Sequence, residues 1–200
     1  MSVPLALDKA RIDPQLAMSL LRLASKATDG SVDRVLKHKA INTADSNAVD
    51  DTSSEENFSL NQTITSNMFK VGNTLKVVAS GVFTSSGGPT LQFRVKFGST
   101  NLVVFTAQTG QTGVSDVPFI ITAYIPIRSL GTSGTVMPFG ELNIKTAAGT
   151  GTVEPIVSVS AVTVDTTVAQ TLQVSLQWSV AAAGNTATLK SLLVFCTDYA

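Results

Sequence analysis

Residues 91–98 read LQFRVKFG, from Leu91 to Gly98. Every second side chain is apolar, and those between are polar or charged. Successive side chains of an extended chain point to opposite faces. This stretch therefore turns Leu91, Phe93, Val95 and Phe97 toward a core and Gln92, Arg94 and Lys96 toward water. Turn-forming clusters bound it, SSGGP before and GSTN after. It reads as a half-buried β-strand.

The same period of two runs from Phe58 to the end of the chain. NTLKVVASGVF places Leu75, Val77, Ala79, Gly81 and Phe83 on one face. NFSLNQTI, NLVVFTA, VPFIITAYIPI, VMPFGELNI, IVSVSAVTV, TLQVSLQW and ATLKSLLVFC complete a set of nine expected strands. GQTG, GTSG, AAGTGT and AAAGN read as turns between them. No helix-period segment intervenes, so parallel crossovers are excluded and the sheets are expected to be antiparallel. The predicted fold is all-β: an antiparallel, jelly-roll-like β-sandwich over residues 58–200. Pro118, Pro126 and Pro138 fall inside strand-like runs, which predicts edges or bulges there.

Residues 1–41 read differently, as a short helical N-terminal arm. Asp13-Pro14 is a helix start, with a capping carboxylate followed by Pro where its missing N–H costs nothing. Leu16, Leu20, Leu23 and Ala27 then recur on one face, with Ala17, Leu21 and Ala24 beside them, and Gly30 ends the run. Ser31 is placed to cap a second short helix, SVDRVLKHKA. Two short helices do not make a core, so their apolar faces need another surface. Residues 42–57, NTADSNAVDDTSSEEN, are acidic, polar and without an aromatic residue, which predicts a flexible linker.

Only 14% of residues are charged while 44% are hydrophobic; a soluble domain usually carries about 25% charged residues. A chain that buries extra surface in an assembly needs fewer charges. No apolar run approaches the ~20 residues of a spanning helix, so no membrane partner is expected. Asp8 and Asp13 stand where a secretory signal would need an apolar stretch. Net charge is +3 over residues 1–40, −5 over 41–57 and +2 beyond. That is too weakly basic for a nucleic-acid footprint.

The chemistry-bearing residues are few. Cys196 is the one cysteine and His38 the one histidine, which excludes an internal disulfide and the usual structural zinc sites. Cys196 follows an apolar run and reads as a core thiol; His38 reads as a solvated helix residue. The carboxylates of the β-region, Asp116, Glu141, Glu154, Asp165 and Asp198, show no paired spacing. No phosphate-binding loop, dinucleotide turn or HExxH is present. No catalytic residue, metal site or cofactor is expected. Trp178 shares the phase of Leu172, Val174 and Leu176 and reads as core. VDTTVAQ reads as an Asp/Thr-stabilised turn.

Taken in order, several stretches resemble a family. They are the strand opening on Asn73-Thr74, TLQFRVKFG, the turn RSLGTSGTV, and the ending VDTTVAQTLQVSLQW with NTATLKSLLVF. Their sequence is similar to that of jelly-roll structural proteins of tailed bacteriophages, of the head-fibre or capsid-decoration (cement) kind. The resemblance covers about residues 58–200 and excludes the N-terminal arm. It implies a virion protein made in the host cytoplasm, usually a homotrimer on the head surface, without catalytic residues. On that basis the major capsid protein is the expected partner. Leu16, Leu20, Leu21 and Leu23 are the expected anchor, with Arg22, Arg34 and Lys37 as charge partners. The alternative is a receptor- or glycan-binding head of a fibre or tail-tip protein, which needs Tyr124, Trp178 or Tyr199 on an exposed face. A genome-enclosing shell subunit is disfavoured, because its arm would be strongly basic.

Overall fold

A computed structural model of the protein describes residues 37–40, 42, 44–110, 112–147, 150–158 and 160–197. These form fourteen strands: β1 (Lys37–Ala40), β2 (Ala48–Asp50), β3 (Glu56–Ile64), β4 (Thr74–Ser85), β5 (Thr90–Phe97), β6 (Thr100–Val104), β7 (Gln108–Thr109), β8 (Val114–Ser129), β9 (Gly134–Val136), β10 (Phe139–Ala147), β11 (Thr150–Val157), β12 (Val162–Val164), β13 (Gln170–Trp178) and β14 (Thr186–Thr197). All pairings between them are antiparallel, as the lack of helical crossovers predicts.

Two sheets result. The larger runs β1-β14-β4-β8-β10-β11, with β2 also on β14 and the β9–β12 pair attached to β8. The smaller runs β3-β13-β5-β6, with β7 also on β5. The chain alternates between them, from β3 to β4 to β5 and again from β12 to β13 to β14. Burial follows the phase read from the sequence: β4 and β5 alternate half-buried and buried along their whole lengths. The two inward faces interdigitate, with Phe93 of β5 and Phe119 of β8 at a 4.5 Å ring separation. Gly81 sits opposite this pair for a steric reason. A Cβ there would lie 2.6 Å from the Phe119 ring and 2.3 Å from the Thr188 carbonyl. Trp178 is fully buried and donates its Nε1–H to the Val49 carbonyl at 3.1 Å.

Two buried asparagines hold the points where the chain changes sheet. Asn73 Oδ1 accepts the Lys70 N–H at 2.6 Å, and the Asn73 carbonyl accepts the Ile127 N–H. Asn185 Oδ1 accepts the Ser86 N–H at 2.9 Å, while its amide donates to the Val180 carbonyl. Each therefore supplies partners to backbone groups that leave the ladder at a corner.

The prolines behave as edge and boundary markers. Pro118 and Pro126 lie in β8, just outside the Phe119–Tyr124 span that pairs with β10. Pro138 separates β9 from β10, splitting VMPFGELNI into two strands. A further strand, β11, occupies the stretch whose start, AAGTGT, reads as a turn.

Three expectations need correction or fall elsewhere. Residues 1–36, which carry the expected helical arm, lie outside the described residues. The end of that expected arm, residues 37–40, is strand β1 rather than helix, in register with β14. The expected flexible linker is fastened to both sheets. Its β2 pairs with β14, and Val49 is fully buried. Between β1 and β2 one backbone bond remains, from the Ser46 N–H to the Leu189 carbonyl at 2.9 Å, and side chains supply the rest. Asn42 Oδ1 accepts the Leu192 N–H at 2.9 Å, Asn42 Nδ2 donates to the Lys190 carbonyl at 3.0 Å, and Ser46 Oγ accepts the Leu189 N–H at 2.9 Å. The composition argument fails because these polar residues satisfy an exposed edge instead of building a core of their own.

Candidate interaction surface

Asp165 is a turn residue. Its Oδ1 accepts the Thr167 N–H at 2.8 Å and the Thr167 hydroxyl at 2.6 Å. Those bonds hold its carboxyl below the ordinary range. The neighbouring Thr166 does more. Its hydroxyl accepts the Gly131 N–H at 2.8 Å, its N–H donates to the Gly131 carbonyl at 3.0 Å, and its carbonyl accepts the Asn67 N–H at 3.1 Å. Gly131 has φ +114°, which favours glycine. Strand β12 pairs with β9 directly beside this clamp. The RSLGTSGTV turn and the VDTT turn, well separated along the chain, are thus one feature in space.

The other carboxylates are structural or solitary. Glu154 accepts the Thr106 N–H at 3.0 Å and a bond from Gln108, tying β11 to the β6–β7 connection. Asp116 sits in the bulge of the β4–β8 ladder, between the Phe83–Val117 and Ser85–Val114 pairs, with its N–H on Thr84 Oγ1 and Ser115 on its carboxylate. Glu141 is exposed on β10. Among the described residues, no three His, Cys, Asp or Glu side chains come together as a metal site would require. Cys196 is buried in β14.

Among the described residues, the densest charge cluster involves a residue absent from the expected set, Glu55. Its Oε1 accepts Lys96 Nζ at 2.6 Å and Ser175 Oγ at 2.8 Å, and Arg94 stands 3.5 Å from Oε2. Burial pushes the Glu55 carboxyl up. The Lys96 and Ser175 hydrogen bonds, with the charges of Lys96 and Arg94, outweigh that and leave it below its ordinary value. Arg94 also donates to Gln177 at 2.9 Å, and Gln177 donates to the Ser53 carbonyl at 3.1 Å. This network fastens residues 53–55 onto the outer face of the smaller sheet. It is a structural clasp.

The two outer faces of the sandwich differ sharply. Outward positions of the smaller sheet are mostly polar, among them Asn57, Asn61, Gln173, Gln177, Gln92, Arg94 and Lys96, with Val104 of β6 the exposed apolar exception among its described strand residues. The larger sheet is apolar on its outside toward β11. Its strand register sets Lys76, Tyr124, Phe139 and Val157 in one row across β4, β8, β10 and β11. Val78, Thr122, Glu141 and Pro155 form the next row, and Ser80, Ile120, Asn143 and Val153 the third. Val157 is 71% exposed, Val153 56%, Ile120 46% and Phe139 40%. The Tyr124 and Phe139 rings stack at 5.0 Å, with Lys76 Nζ 5.4 Å from the Tyr124 ring centre. Thr122, Glu141 and Asn143 stand among these apolar side chains, and the face is nonetheless the more apolar of the two.

Of the anchor residues expected from the sequence, Leu16, Leu20, Leu21, Leu23, Arg22 and Arg34 lie outside the described residues. Lys37 opens β1, opposite Cys196. The apolar face was not anticipated, although its signal is present. In VPFIITAYIPI the outward phase is Pro118, Ile120, Thr122, Tyr124 and Pro126, where LQFRVKFG offers Gln92, Arg94 and Lys96. A partly open apolar recess of about 10 Å³ lies among Phe69, Leu75, Phe97, Ile125 and Val164. A site for one water needs at least that much room and polar partners as well. No helix among the described residues is long and apolar enough to cross a membrane.

No protein-family model matches the chain. No curated protein matches it either. Among solved structures it is similar to the CBM2 module of the Lactobacillus casei BL23 phage J-1 evolved Dit, at 12% identity, with 70% of each chain covered and a TM-score of 0.30. A likeness of that size leaves function to be argued from the chain's own residues.

Proposed function

We propose that this chain is a non-enzymatic virion structural protein of a tailed bacteriophage, a homotrimeric capsid decoration (cement) protein with a jelly-roll-like sandwich. In this reading it is made in the host cytoplasm and binds the outside of the head through the major capsid protein. The observation that carries the reading is the contrast between the two outer faces. A chain that worked as an isolated soluble domain would present polar residues on both. Here one face is polar but for Val104, while the other exposes Ile120, Phe139, Val153 and Val157. The ordered motifs that resemble phage jelly-roll proteins support the same reading, as does a chain path that alternates between sheets.

The mechanism is energetic. A ligand that binds only the closed shell stabilises it by RT ln(1 + [L]/Kd), about 2.7 kcal/mol per site at a hundredfold excess over Kd. Several linked sites raise the effective affinity without new contacts. Residues 1–36 supply the anchor, through Leu16, Leu20, Leu21 and Leu23 with Arg22 and Arg34, and Lys37 adjoins it. The test is co-sedimentation with expanded heads that lack decoration. The full chain is expected to bind and to raise the temperature at which heads rupture, and a chain lacking residues 1–36 is expected not to bind. No binding by the full chain refutes decoration; equal binding by the shortened chain refutes the anchor.

A glycan-binding head keeps one supporting feature, the Tyr124–Phe139 pair on the outer face. Trp178 is removed from it by burial, and Tyr199 lies outside the described residues. Binding to purified cell envelope with none to heads would favour this second reading.

A further inference from the structure

We propose that the outer face of the larger sheet, over β8, β10 and β11, is the surface through which a second copy of this chain docks. The proposal rests on the reading of the chain as an assembly protein; a face that meets its own copy makes a twofold contact, which adds to the threefold contact of the trimer.

The free edge of β11 is the first alternative, and it is blocked. The Ser158 N–H donates to the Pro138 carbonyl, so the even-numbered residues of this strand point their N–H groups at β10. Odd-numbered residues point theirs outward, and the middle one is Pro155, which has no N–H. A proline there interrupts any strand added to the edge. At this side of the larger sheet, association is thereby directed to the face and away from the edge.

The face suits a copy of itself. Only two charged residues stand in its three rows, Lys76 on β4 and Glu141 on β10. Neither forms an ion pair among the described residues. Their signs are opposite, so a second copy brings the complement of each, as an isologous contact requires. A partner of one dominant charge would leave one of them buried and unpaired, at a cost.

Area sets the strength. Four strands at about 4.8 Å spacing and three rows along them make a flat patch of roughly 400 Å². Two such patches bury about 800 Å², close to the roughly 1,000 Å² where specific interfaces begin. The contact is therefore reversible and depends on concentration.

The experiment is sedimentation velocity of the full chain from about 1 to 100 μM, a range that brackets micromolar association. Wild type is expected to associate with rising concentration. Val157→Glu and Ile120→Glu are expected to weaken association at least tenfold, with far-UV circular dichroism and Trp178 fluorescence unchanged. Asn61→Glu, on the polar sheet, is expected to leave it intact. Lys76→Glu should weaken association, and Lys76→Glu with Glu141→Lys should restore it. A wild type whose sedimentation does not change with concentration over this range overturns the proposal, as does association unaffected by the Val157 and Ile120 variants. Head binding is measured separately. Wild type that shows no concentration-dependent association yet binds heads removes this interface and leaves the decoration reading standing.

Discussion

If residues 42–57 were a tether, substitutions there would leave stability within about 0.5 kcal/mol of wild type. The fold makes a different prediction for Ser46 and Val49. Ser46 Oγ accepts the N–H of fully buried Leu189. Ser46→Ala leaves that buried donor without its partner, which costs about 1–3 kcal/mol. Val49 has no exposed surface. Val49→Ala removes two carbons at about 0.8 kcal/mol each, and the remaining gap adds to the loss, for about 2–3 kcal/mol. In a unit of this size each kcal/mol lowers the midpoint temperature by about 2–4 °C. The expected shifts are therefore about 2–12 °C for Ser46→Ala and about 4–12 °C for Val49→Ala. Trp178 is the chain's one tryptophan, and its N–H bonds to the Val49 carbonyl. Its fluorescence during urea unfolding reports on this contact directly. Amide exchange at Leu189 and Leu192 tells local release of the segment from global unfolding. If both variants stay within about 0.5 kcal/mol of wild type, the range of an ordinary surface substitution, and protection at those amides is unchanged, the structural role of the segment is refuted.

Gly81→Ala should destabilise by at least about 2 kcal/mol in the same assay, because overpacking costs typically 1–3 kcal/mol and one clashing atom is backbone. A loss below about 0.5 kcal/mol, no more than a surface change produces, would contradict the close approach of Phe119. For Glu55 the folded carboxyl lies below its unfolded value. Its stabilisation is thus fully present above the unfolded pKa of about 4.3 and is lost as pH falls through the folded value. Urea midpoints of wild type and Glu55→Gln should converge as pH drops from 6 to 3, and a constant difference would exclude the clasp. Thr166→Val removes the acceptor for the Gly131 N–H and should cost about 1–3 kcal/mol. Asp165→Asn keeps an acceptor for Thr167 and should be milder than Asp165→Val, and equal effects would remove the turn role.

What was legible in the sequence is what depends on near neighbours in the chain. Alternation in LQFRVKFG and NTLKVVASGVF set the buried phase of β5 and β4, because side-chain direction in an extended chain depends only on position parity. The phase of TLQVSLQW likewise put Trp178 in the core. The Asp165 turn was legible because its bonds reach only two residues ahead. The prolines marked ladder limits because proline lacks a donor wherever it stands.

Tertiary structure alone decided which strands are neighbours, and with it everything that rests on non-local bonds. Asn42 and Ser46 meet partners 150 and 143 residues away, so composition counted them as linker when they close the edge of β14. Thr166 looked like part of a local turn and proved to clamp a second turn 35 residues distant. The outward apolar residues of β8 were present in the sequence as single side chains. Sheet order set Tyr124 beside Phe139 and Phe139 beside Val157, turning separate residues into a surface. Strand direction is local chemistry, whereas the choice of ladder partner is a competition among distant segments, settled only when the whole sandwich forms.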